Sequence, residues 1–313
     1  MKLINPEVRI ETTSFCNYNC KICPRDKMTR PKVTMDFDHF MDLAMQAEEL
    51  GATLISLFGY GEPLMDKTLP EKIEICSELG LDTFITSNAS LLDVEMYKKL
   101  RDAGLSEVRI SHHALKPDNY EDVHGCGFDY DNIVLRNIYN FIACNRTDGG
   151  NIKIGITVIP MHGESVDDIR TAWEHNGVDY LEIWKPHNWA YGRQYRDVKI
   201  KKRTCGRPHR GPIQINADGK MMVCCFDFDA HMTVGDTYQD SIENILKGDT
   251  FKKIRIAHET GMVDGLPCEH CDQLNIEDEN PLLYSSRDQT KTIGCTSSTK
   301  FKLEDIKDGT NTE

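Results

Sequence analysis

The sequence predicts an α/β fold, a partial (β/α)6 barrel followed by a small cysteine-rich C-terminal domain. Short apolar or β-branched runs alternate with amphipathic stretches over residues 8–190, and such alternation favours parallel strands covered by helices. Where the alternation stops, cysteines cluster again, between residues 205 and 271. The chain has 313 residues, which exceeds the usual size of a single domain.

Six strands are predicted from runs of apolar and β-branched residues, at 8–12, 54–58, 82–86, 107–111, 152–158 and 180–184. Between them the sequence predicts helices over 36–50, 68–79, 92–103, 129–147 and 165–176. In barrels of this type the functional groups gather at the carboxyl ends of the strands. We therefore expect the site at that end of the sheet.

The composition excludes several classes of protein. A formal net charge of −13 argues against a broad surface for nucleic acid or anionic membrane. No segment approaches the roughly 18 apolar residues of a membrane span, and the N-terminal residues lack the apolar stretch of a signal peptide. Twelve cysteines in such a chain are expected to be metal ligands instead of disulfides. We expect a cytoplasmic protein without a membrane or nucleic-acid partner.

Cys16, Cys20 and Cys23 follow the first predicted strand with C-x-x-x-C-x-x-C spacing. Three thiolates at this spacing can hold three corners of a cubane iron–sulfur cluster, which leaves the fourth iron open to a small molecule. The alternative is three unrelated buried or zinc-binding cysteines. The spacing resembles the signature of the radical S-adenosylmethionine (SAM) superfamily. The resemblance implies a 4Fe–4S cluster at which SAM is reductively cleaved to a 5′-deoxyadenosyl radical, which abstracts hydrogen from a substrate carbon.

Two further segments follow strand ends. The turn G-Y-G-E-P at residues 59–63 carries a carboxylate that can accept hydrogen bonds from an ammonium group, although alone it would be an ordinary turn. The polar run T-S-N-A at residues 86–89 can bind ribose hydroxyls or cap a helix, and the apolar fifth strand can equally be core. In the superfamily the matching positions bind SAM. The resemblance therefore implies these SAM-binding residues: Ile22, Gly61, Glu62, Pro63, Ser87, Asn88 and Ile156. On the fifth strand Thr157 is the alternative to Ile156.

A second set of four cysteines follows the barrel region: Cys205, Cys224, Cys268 and Cys271. A tight turn at residues 216–220, between short strands predicted at 212–215 and 221–223, would bring the first two together. Four thiolates equally suit structural zinc. The spacing resembles the SPASM and Twitch extensions of radical SAM enzymes, which implies one auxiliary 4Fe–4S cluster. Cys225 leaves the ligand assignment open by one residue, and Cys295 lies at the wrong distance for a second auxiliary cluster.

Candidate catalytic residues lie where strands end at the barrel mouth: Tyr60, His113, Lys185 and His187. A histidine or lysine after the last barrel strand can act as general base for a hydroxyl proton, although W-K-P-H-N-W can also be an ordinary interdomain loop. Successive strand residues face opposite sides, so only one of His112 and His113 enters the barrel, and we favour His113. Cys126 lies between two glycines, where a thiol can donate hydrogen to a substrate radical as an epimerase requires.

The motifs F-G-Y-G-E-P-L, T-S-N-A, I-S-H-H-A and C-C-F-D-F-D resemble those of the 2-deoxy-scyllo-inosamine dehydrogenase family. The resemblance implies an oxidoreductase acting on a polyol, sugar or aminocyclitol, with Tyr60 facing the substrate and the auxiliary cluster accepting an electron. It also implies an electron donor such as flavodoxin or ferredoxin. The substrate-facing arginine of that family falls near Trp189, with Arg193 four residues on, so the substrate stays open.

Two alternatives remain from the sequence. One is a radical SAM enzyme that modifies or epimerises a peptide, and the other is a non-catalytic metal-binding module. In each case we expect the same three divisions of the chain, a barrel, an auxiliary-cluster domain and a polar tail, at residues 1–192, 193–296 and 297–313.

Overall fold

Six parallel strands form the centre of the fold and lie side by side in chain order. They are β1 (Glu7–Ile10), β2 (Leu54–Ser56), β3 (Asp82–Ser87), β4 (Glu107–Ser111), β5 (Lys153–Val158) and β6 (Tyr180–Trp184). The computed structural model describes residues 1–127, 129–190, 192–197, 203–274 and 281–288. Each neighbouring pair of these strands is parallel, so the predicted α/β fold with its strand order is confirmed.

The connections between these strands are helical. The helices are α1 (Phe37–Glu49), α2 (Leu69–Glu78), α3 (Val94–Asp102), α4 (Pro117–His124), α5 (Arg136–Thr147) and α6 (Val166–Trp173). The sequence analysis predicts all of them except α4, an eight-residue helix with proline in its first turn. The helix predicted over 129–147 begins with a π-helical turn, Tyr130–Leu135, ahead of α5.

Side-chain caps fix where three of these helices begin. Asp36, Asp93 and Ser165 each accept a hydrogen bond from the backbone N–H three residues further on, at 3.1, 2.8 and 3.1 Å. Such a cap satisfies an N–H group that the first turn of a helix leaves unpaired. The helices therefore start at positions that the local sequence determines.

Charged side chains occupy the inside of the barrel. On β1, Val8 and Ile10 pack into the hydrophobic core, whereas Arg9 is paired with Glu7 at 2.7 Å. Residues i and i+2 of a strand share a face, so the alternation separates the apolar side from the charged side. These two charged groups are almost fully buried, and buried charges need such partners. The inner face of β1 is therefore polar, whereas its outer face is apolar and packs in the hydrophobic core.

The C-terminal region extends the same sheet. β7 (Ile213–Ile215) pairs in parallel with β1, and β8 (Lys220–Met222) and β9 (Thr233–Asp236) continue antiparallel from it. The β7–β8 hairpin agrees with the turn that the sequence predicts at 216–220. On the far edge, β10 (Leu282–Ser285) pairs antiparallel with β6. The remaining helices follow: α7 (Arg207–Arg210), α8 (Ile242–Lys247) and α9 (Asp249–Thr260).

Two sequence predictions lie outside the described residues, namely Cys295 and the polar tail over 297–313. Within the part of the chain that the structure describes, no helix is both long enough and apolar enough to cross a bilayer.

Candidate active site

A cavity of about 640 Å³ opens at the carboxyl ends of the six parallel strands. Each of these strands contributes a lining residue at its end or just beyond it: Glu11, Phe58, Ser87, Ser111, Thr157 and Trp184. Cysteines of both predicted sets also line the cavity, Cys16, Cys20 and Cys23 from the N-terminal loop and Cys205 with Cys225 from the C-terminal region. One space therefore connects the two groups of thiols.

The loop that carries Cys16, Cys20 and Cys23 is held by hydrogen bonds on several sides. Arg25 donates to the Ser14 carbonyl oxygen at 2.6 Å, and the Cys23 N–H donates to the Cys20 carbonyl at 3.0 Å. Burial, with a smaller effect of the neighbouring Cys16, raises the pKa of the Cys23 thiol to about 11. The Cys20 pKa also lies well above its usual range, because of burial and then the charges of Cys23 and Cys16.

These properties fit an iron–sulfur cluster. Ligating thiols must be deprotonated, and the positive charge of bound iron favours the thiolates that burial alone disfavours. Among the described residues, no three His, Cys, Asp or Glu side chains converge on a single-ion site. A cubane binds each thiolate to a different iron, so three thiols around a shared cavity are the arrangement that such a cluster needs.

Glu62 lies beside this loop, in the turn after β2. Its carboxylate accepts hydrogen bonds from the Ser87 hydroxyl and the Asn88 N–H, both at 2.8 Å, at the end of β3. Burial raises its pKa to about 7. A cation in the cavity would favour the ionised form of this carboxylate. The ammonium group of SAM is such a cation, so the residues present fit that cofactor.

Gly61 allows the turn to approach the cysteine loop closely. A Cβ atom at this position would lie 2.0 Å from the Thr13 carbonyl oxygen, which is backbone and cannot move aside easily. The next residue, Glu62, donates its N–H to the Phe15 carbonyl at 2.8 Å. The two loops are thereby joined backbone to backbone, and the carboxylate is fixed next to Cys16.

The other residues predicted to bind SAM are placed differently. Ser87, Asn88 and Ile22 line the cavity, whereas Pro63 is buried at the start of a short 3-10 turn. The prediction that Ile156 faces the cofactor is not supported, because this side chain is fully buried in the core. Its neighbour Thr157 lines the cavity instead, as the alternation of strand residues requires. The Thr157 hydroxyl is buried there and has no hydrogen-bond partner within the described part of the chain.

Three of the four predicted catalytic residues line the cavity: Tyr60, His113 and His187. Lys185 is not among the lining residues: it follows Trp184, which lines the cavity at the end of β6, and successive strand residues face opposite sides. The Tyr60 hydroxyl donates to the carbonyl oxygen of Cys225. It therefore joins the SAM-binding turn to the C-terminal region and is not free to act on a substrate proton.

Two of the histidines that line the cavity, His113 and His187, have lowered pKa values and are neutral near pH 7. Burial lowers the pKa of His113 to about 3 and that of His187 to about 4. The Ile159 N–H donates to His113 Nδ1 at 3.2 Å, so the proton of this ring is on Nε2. The Gln273 amide lies 3.3 Å from His187 Nδ1 in the same way. Each ring therefore presents an N–H donor, which differs from the general base that the sequence suggests.

The C-terminal cysteines also come together. The charge of Cys205 raises the pKa of both Cys268 and Cys271 after the larger effect of burial, so these three thiols face one another. Cys224 lies near Cys271, whereas the adjacent Cys225 lines the cavity. This placement favours Cys224 as the fourth ligand. These four neighbouring thiols, of which Cys271 is buried and the others are partly buried, fit an auxiliary cluster for the same reason as the first three.

Several polar residues of this cavity were not predicted from the sequence, among them Arg207 and His124. Arg207 donates to the Cys225 sulfur at 3.4 Å and its guanidinium lies 4.8 Å from the Phe226 ring centre. His124 is the last residue of α4, the helix that was not expected. A basic residue two positions after Cys205 was a visible signal, whereas nothing local marks His124. Cys126 is not among the residues that line the cavity.

Arg193 is not among the residues that line the cavity and instead contacts the cysteine loop. Its guanidinium donates to the carbonyl oxygens of Lys21 and Cys23 and pairs with Asp26 at 2.7 Å. It therefore braces the cysteine loop. The sequence offers it as the closest match to a substrate-facing arginine, but the structure gives it these backbone partners instead.

The fold and the two cysteine sets define an iron–sulfur protein that binds SAM. The sequence profile of the radical SAM superfamily matches residues 10–172, more than half of the chain, and this chain belongs to that superfamily. A SPASM iron–sulfur cluster-binding domain matches residues 205–272. The cofactors are SAM and two 4Fe–4S clusters, one that binds SAM and one auxiliary.

Several of its relatives in sequence carry the name of a cyclase. A probable GTP 3′,8-cyclase of Methanothermobacter marburgensis is 37% identical over 114 residues, 36% of this chain and 37% of that protein. A probable GTP 3′,8-cyclase of Sulfolobus acidocaldarius is 22% identical over 275 residues, 75% of this chain and 86% of that protein. The chain thus spans little more than a third of the first relative.

Similar solved structures come from two other kinds of enzyme. BtrN, a 2-deoxy-scyllo-inosamine dehydrogenase, in complex with AdoMet and 2-DOIA, has a TM-score of 0.63 at 19% identity, with 87% of this chain and 94% of that one covered. SuiB of Streptococcus suis, bound to its precursor peptide SuiA, has a TM-score of 0.65 at 13% identity, covering 80% and 66%. At these identities the likeness shows the fold, and the expected similarity to the dehydrogenase pattern is confirmed.

Proposed function

We propose that this radical SAM enzyme is an oxidoreductase that takes hydrogen from a carbon of a polyol, sugar or aminocyclitol. One observation carries the proposal: thiols of both cysteine sets line a single cavity, so a substrate held there would lie between the two clusters. An oxidation of a hydroxyl-bearing carbon needs both, because abstraction takes one hydrogen atom and a second electron must leave the substrate radical. The auxiliary cluster beside the cavity accepts that electron, and the hydroxyl proton is released to water in the open cavity.

We assign each cysteine set to one cluster. Cys16, Cys20 and Cys23 hold the SAM-binding cluster, and the auxiliary cluster is held by four residues, Cys205, Cys224, Cys268 and Cys271. When bound, the first cluster and SAM supply the 5′-deoxyadenosyl radical. The protein's own task is to position SAM and substrate and to exclude competing reactions.

Glu62 accepts the ammonium group of SAM in this proposal. Ser87 and Asn88 donate to the carboxylate and so hold it in place before SAM arrives. Gly61 brings the turn against the cysteine loop, which keeps the carboxylate at a fixed distance from Cys16. Thr157 also lines the cavity, and its hydroxyl, which has no hydrogen-bond partner among the described residues, can bind a polar group of the cofactor or substrate.

The wall toward the C-terminal region suits a ring with many hydroxyl groups. Trp189 and Phe226 lie with ring centres 5.5 Å apart, and both line the cavity. Aromatic faces pack against the C–H groups of such a ring, while His113 and His187 donate N–H groups to its oxygens. The wall thereby orients one C–H bond toward the radical without a charged base.

A second candidate is a cyclase that acts on a purine nucleotide. It is favoured by the names of the relatives in sequence and by Arg207, which lines the cavity and has no carboxylate partner among the described residues. A guanidinium in this position can bind a phosphate group.

Deuterated substrates test the two candidates. The anaerobically reconstituted enzyme is incubated with SAM, a reductant and either deuterated aminocyclitols and sugars or deuterated GTP. Deuterium found in 5′-deoxyadenosine by mass spectrometry identifies the substrate class and the attacked carbon. Transfer from GTP and from none of the polyols would replace the oxidoreductase proposal with the cyclase. A protein that holds zinc and forms no 5′-deoxyadenosine would contradict both.

A further inference from the structure

His124 is buried between the end of β4 and the N-terminal cysteine loop. Its ring nitrogens have different partners. The backbone N–H of His113 donates to Nε2 at 3.2 Å, and Nδ1 lies 3.7 Å from the Cys20 sulfur. A backbone N–H can only donate, so Nε2 is the unprotonated nitrogen of the neutral ring. The proton is therefore on Nδ1 and points at the sulfur.

The contact between α4 and the cysteine loop is built by the backbone as well. The Asn19 N–H donates to the His124 carbonyl at 3.2 Å, and the Lys21 N–H donates to the Val123 carbonyl at 2.9 Å. These two bonds flank Cys20. Gly125 ends the helix in the left-handed conformation, with φ +58°, and a Cβ there would lie 2.2 Å from the Asn19 carbonyl oxygen. The end of α4 thus fixes the middle cysteine of the loop.

We propose that His124 is a positioning residue that donates an N–H···S hydrogen bond to the Cys20 thiolate and thereby raises the reduction potential of the SAM-binding cluster. Reduction adds negative charge to the cluster, and a donor to a ligating sulfur stabilises that charge. The inference rests on the proposed role of Cys20 as a ligand. It adds to the three-cysteine motif a residue that lies 104 positions away in sequence from Cys20.

The potential of the cluster tests this proposal. The reconstituted full-length enzyme is titrated electrochemically, and the potential is read from the EPR signal that changes when SAM is added. His124→Leu removes the donor and should lower the potential by about 59 mV or more, a tenfold change in the ratio of reduced to oxidised cluster. His124→Asn keeps an amide N–H near the position of Nδ1 and should restore most of the shift.

His112→Leu is the matched control. His112 is equally buried, next to His113 in sequence, but its ring bonds the Tyr130 hydroxyl at 2.6 Å instead of a cysteine. This variant should leave the potential unchanged even if it lowers stability. A potential in His124→Leu equal to that of the wild type would refute the proposal.

A measurement on the unaltered protein covers the case in which His124→Leu fails to fold. With ¹⁵N-labelled histidine, pulsed EPR of the reduced cluster should detect a weak ¹⁵N coupling transmitted through the hydrogen bond, and His112→Leu should retain it. Absence of this coupling in the wild type would overturn the proposal. Cys20→Ala tests the assignment of Cys20 as a cluster ligand separately from the role of His124. An EPR signal that still responds to SAM in this variant would refute the ligand assignment.

Discussion

Glu62 should make the metal-free protein less stable as the pH rises. Burial raises the pKa of its carboxyl group from an ordinary value of 4.5 to about 7. An acid with a higher pKa in the folded chain stabilises the fold while it is protonated, so the stabilisation is complete below pH 4.5 and is lost as the pH rises through about 7. At about 1.4 kcal/mol per pH unit, the total loss is about 3 kcal/mol, of which about 2 kcal/mol falls between pH 5.5 and 8.

Urea unfolding of the metal-free protein under anaerobic conditions measures this loss. Glu62→Gln has no ionisable group at this position, so the difference between wild type and variant at pH 5.5 and pH 8 isolates the carboxyl group. The subtraction is needed because the buried histidines act in the opposite direction. Burial lowers the pKa of His112 and His113, so they stabilise the fold above pH 6.5 and this stabilisation is lost at lower pH.

Equal pH dependence in the wild type and in Glu62→Gln would refute the reasoning. Once the clusters are loaded, the same variant should bind SAM more weakly, because the neutral amide lacks the negative charge that attracts the ammonium group. The unfolding measurement reports the effect of the carboxyl group on stability, and the binding measurement reports its effect on SAM affinity. The structure predicts that Glu62 lowers stability at neutral pH.

Gly61→Ala should weaken SAM binding at least tenfold, because its Cβ would lie 2.0 Å from the Thr13 carbonyl oxygen. Gly127→Ala is the control and should leave the affinity unchanged, since open space surrounds that position. Isothermal titration calorimetry measures both affinities, and equal values would contradict the close approach of the two loops. Cys268→Ala should lose the auxiliary cluster, so the iron content should fall to about half of the roughly eight iron atoms per chain, while the EPR signal still changes when SAM is added. An unchanged iron content would argue against the assigned auxiliary ligands. Arg193→Gln should lower the free energy of unfolding by about 0.5–1.5 kcal/mol, since the Lys21 and Cys23 carbonyl oxygens lose their donor. An unchanged urea midpoint would contradict this stabilising role.

The repeating part of the fold could be predicted because its signals are local. The six strands and five of the helices follow from runs and periodicities within about twenty residues. Helix α4 escaped because its eight residues carry too short a pattern to stand out, and two polar residues follow its initial proline. His124 is the last residue of this helix, so it was not predicted as part of the site either.

Side-chain direction was the harder part of the site. At the end of β5 the choice between Ile156 and Thr157 depends on which face of the strand meets the barrel interior, and a strand that is apolar at most positions does not reveal it. The same uncertainty put Lys185 at the substrate in place of Trp184. The contact of Tyr60 with Cys225 depends on the pairing of β7 with β1, which joins residues about 200 positions apart. No local pattern encodes that pairing.

The pairing of β7 with β1 also limits how such an enzyme can be taken apart. All four residues of β1 are buried, and the backbone of β7 covers its outer edge. A chain shortened to the barrel would lack β7 and would expose the edge of β1. An exposed strand edge pairs with other chains and promotes aggregation. We therefore expect the barrel expressed alone to aggregate and not to serve as a minimal catalyst. Any exchange of C-terminal modules between relatives has to supply a new strand that seals the same edge.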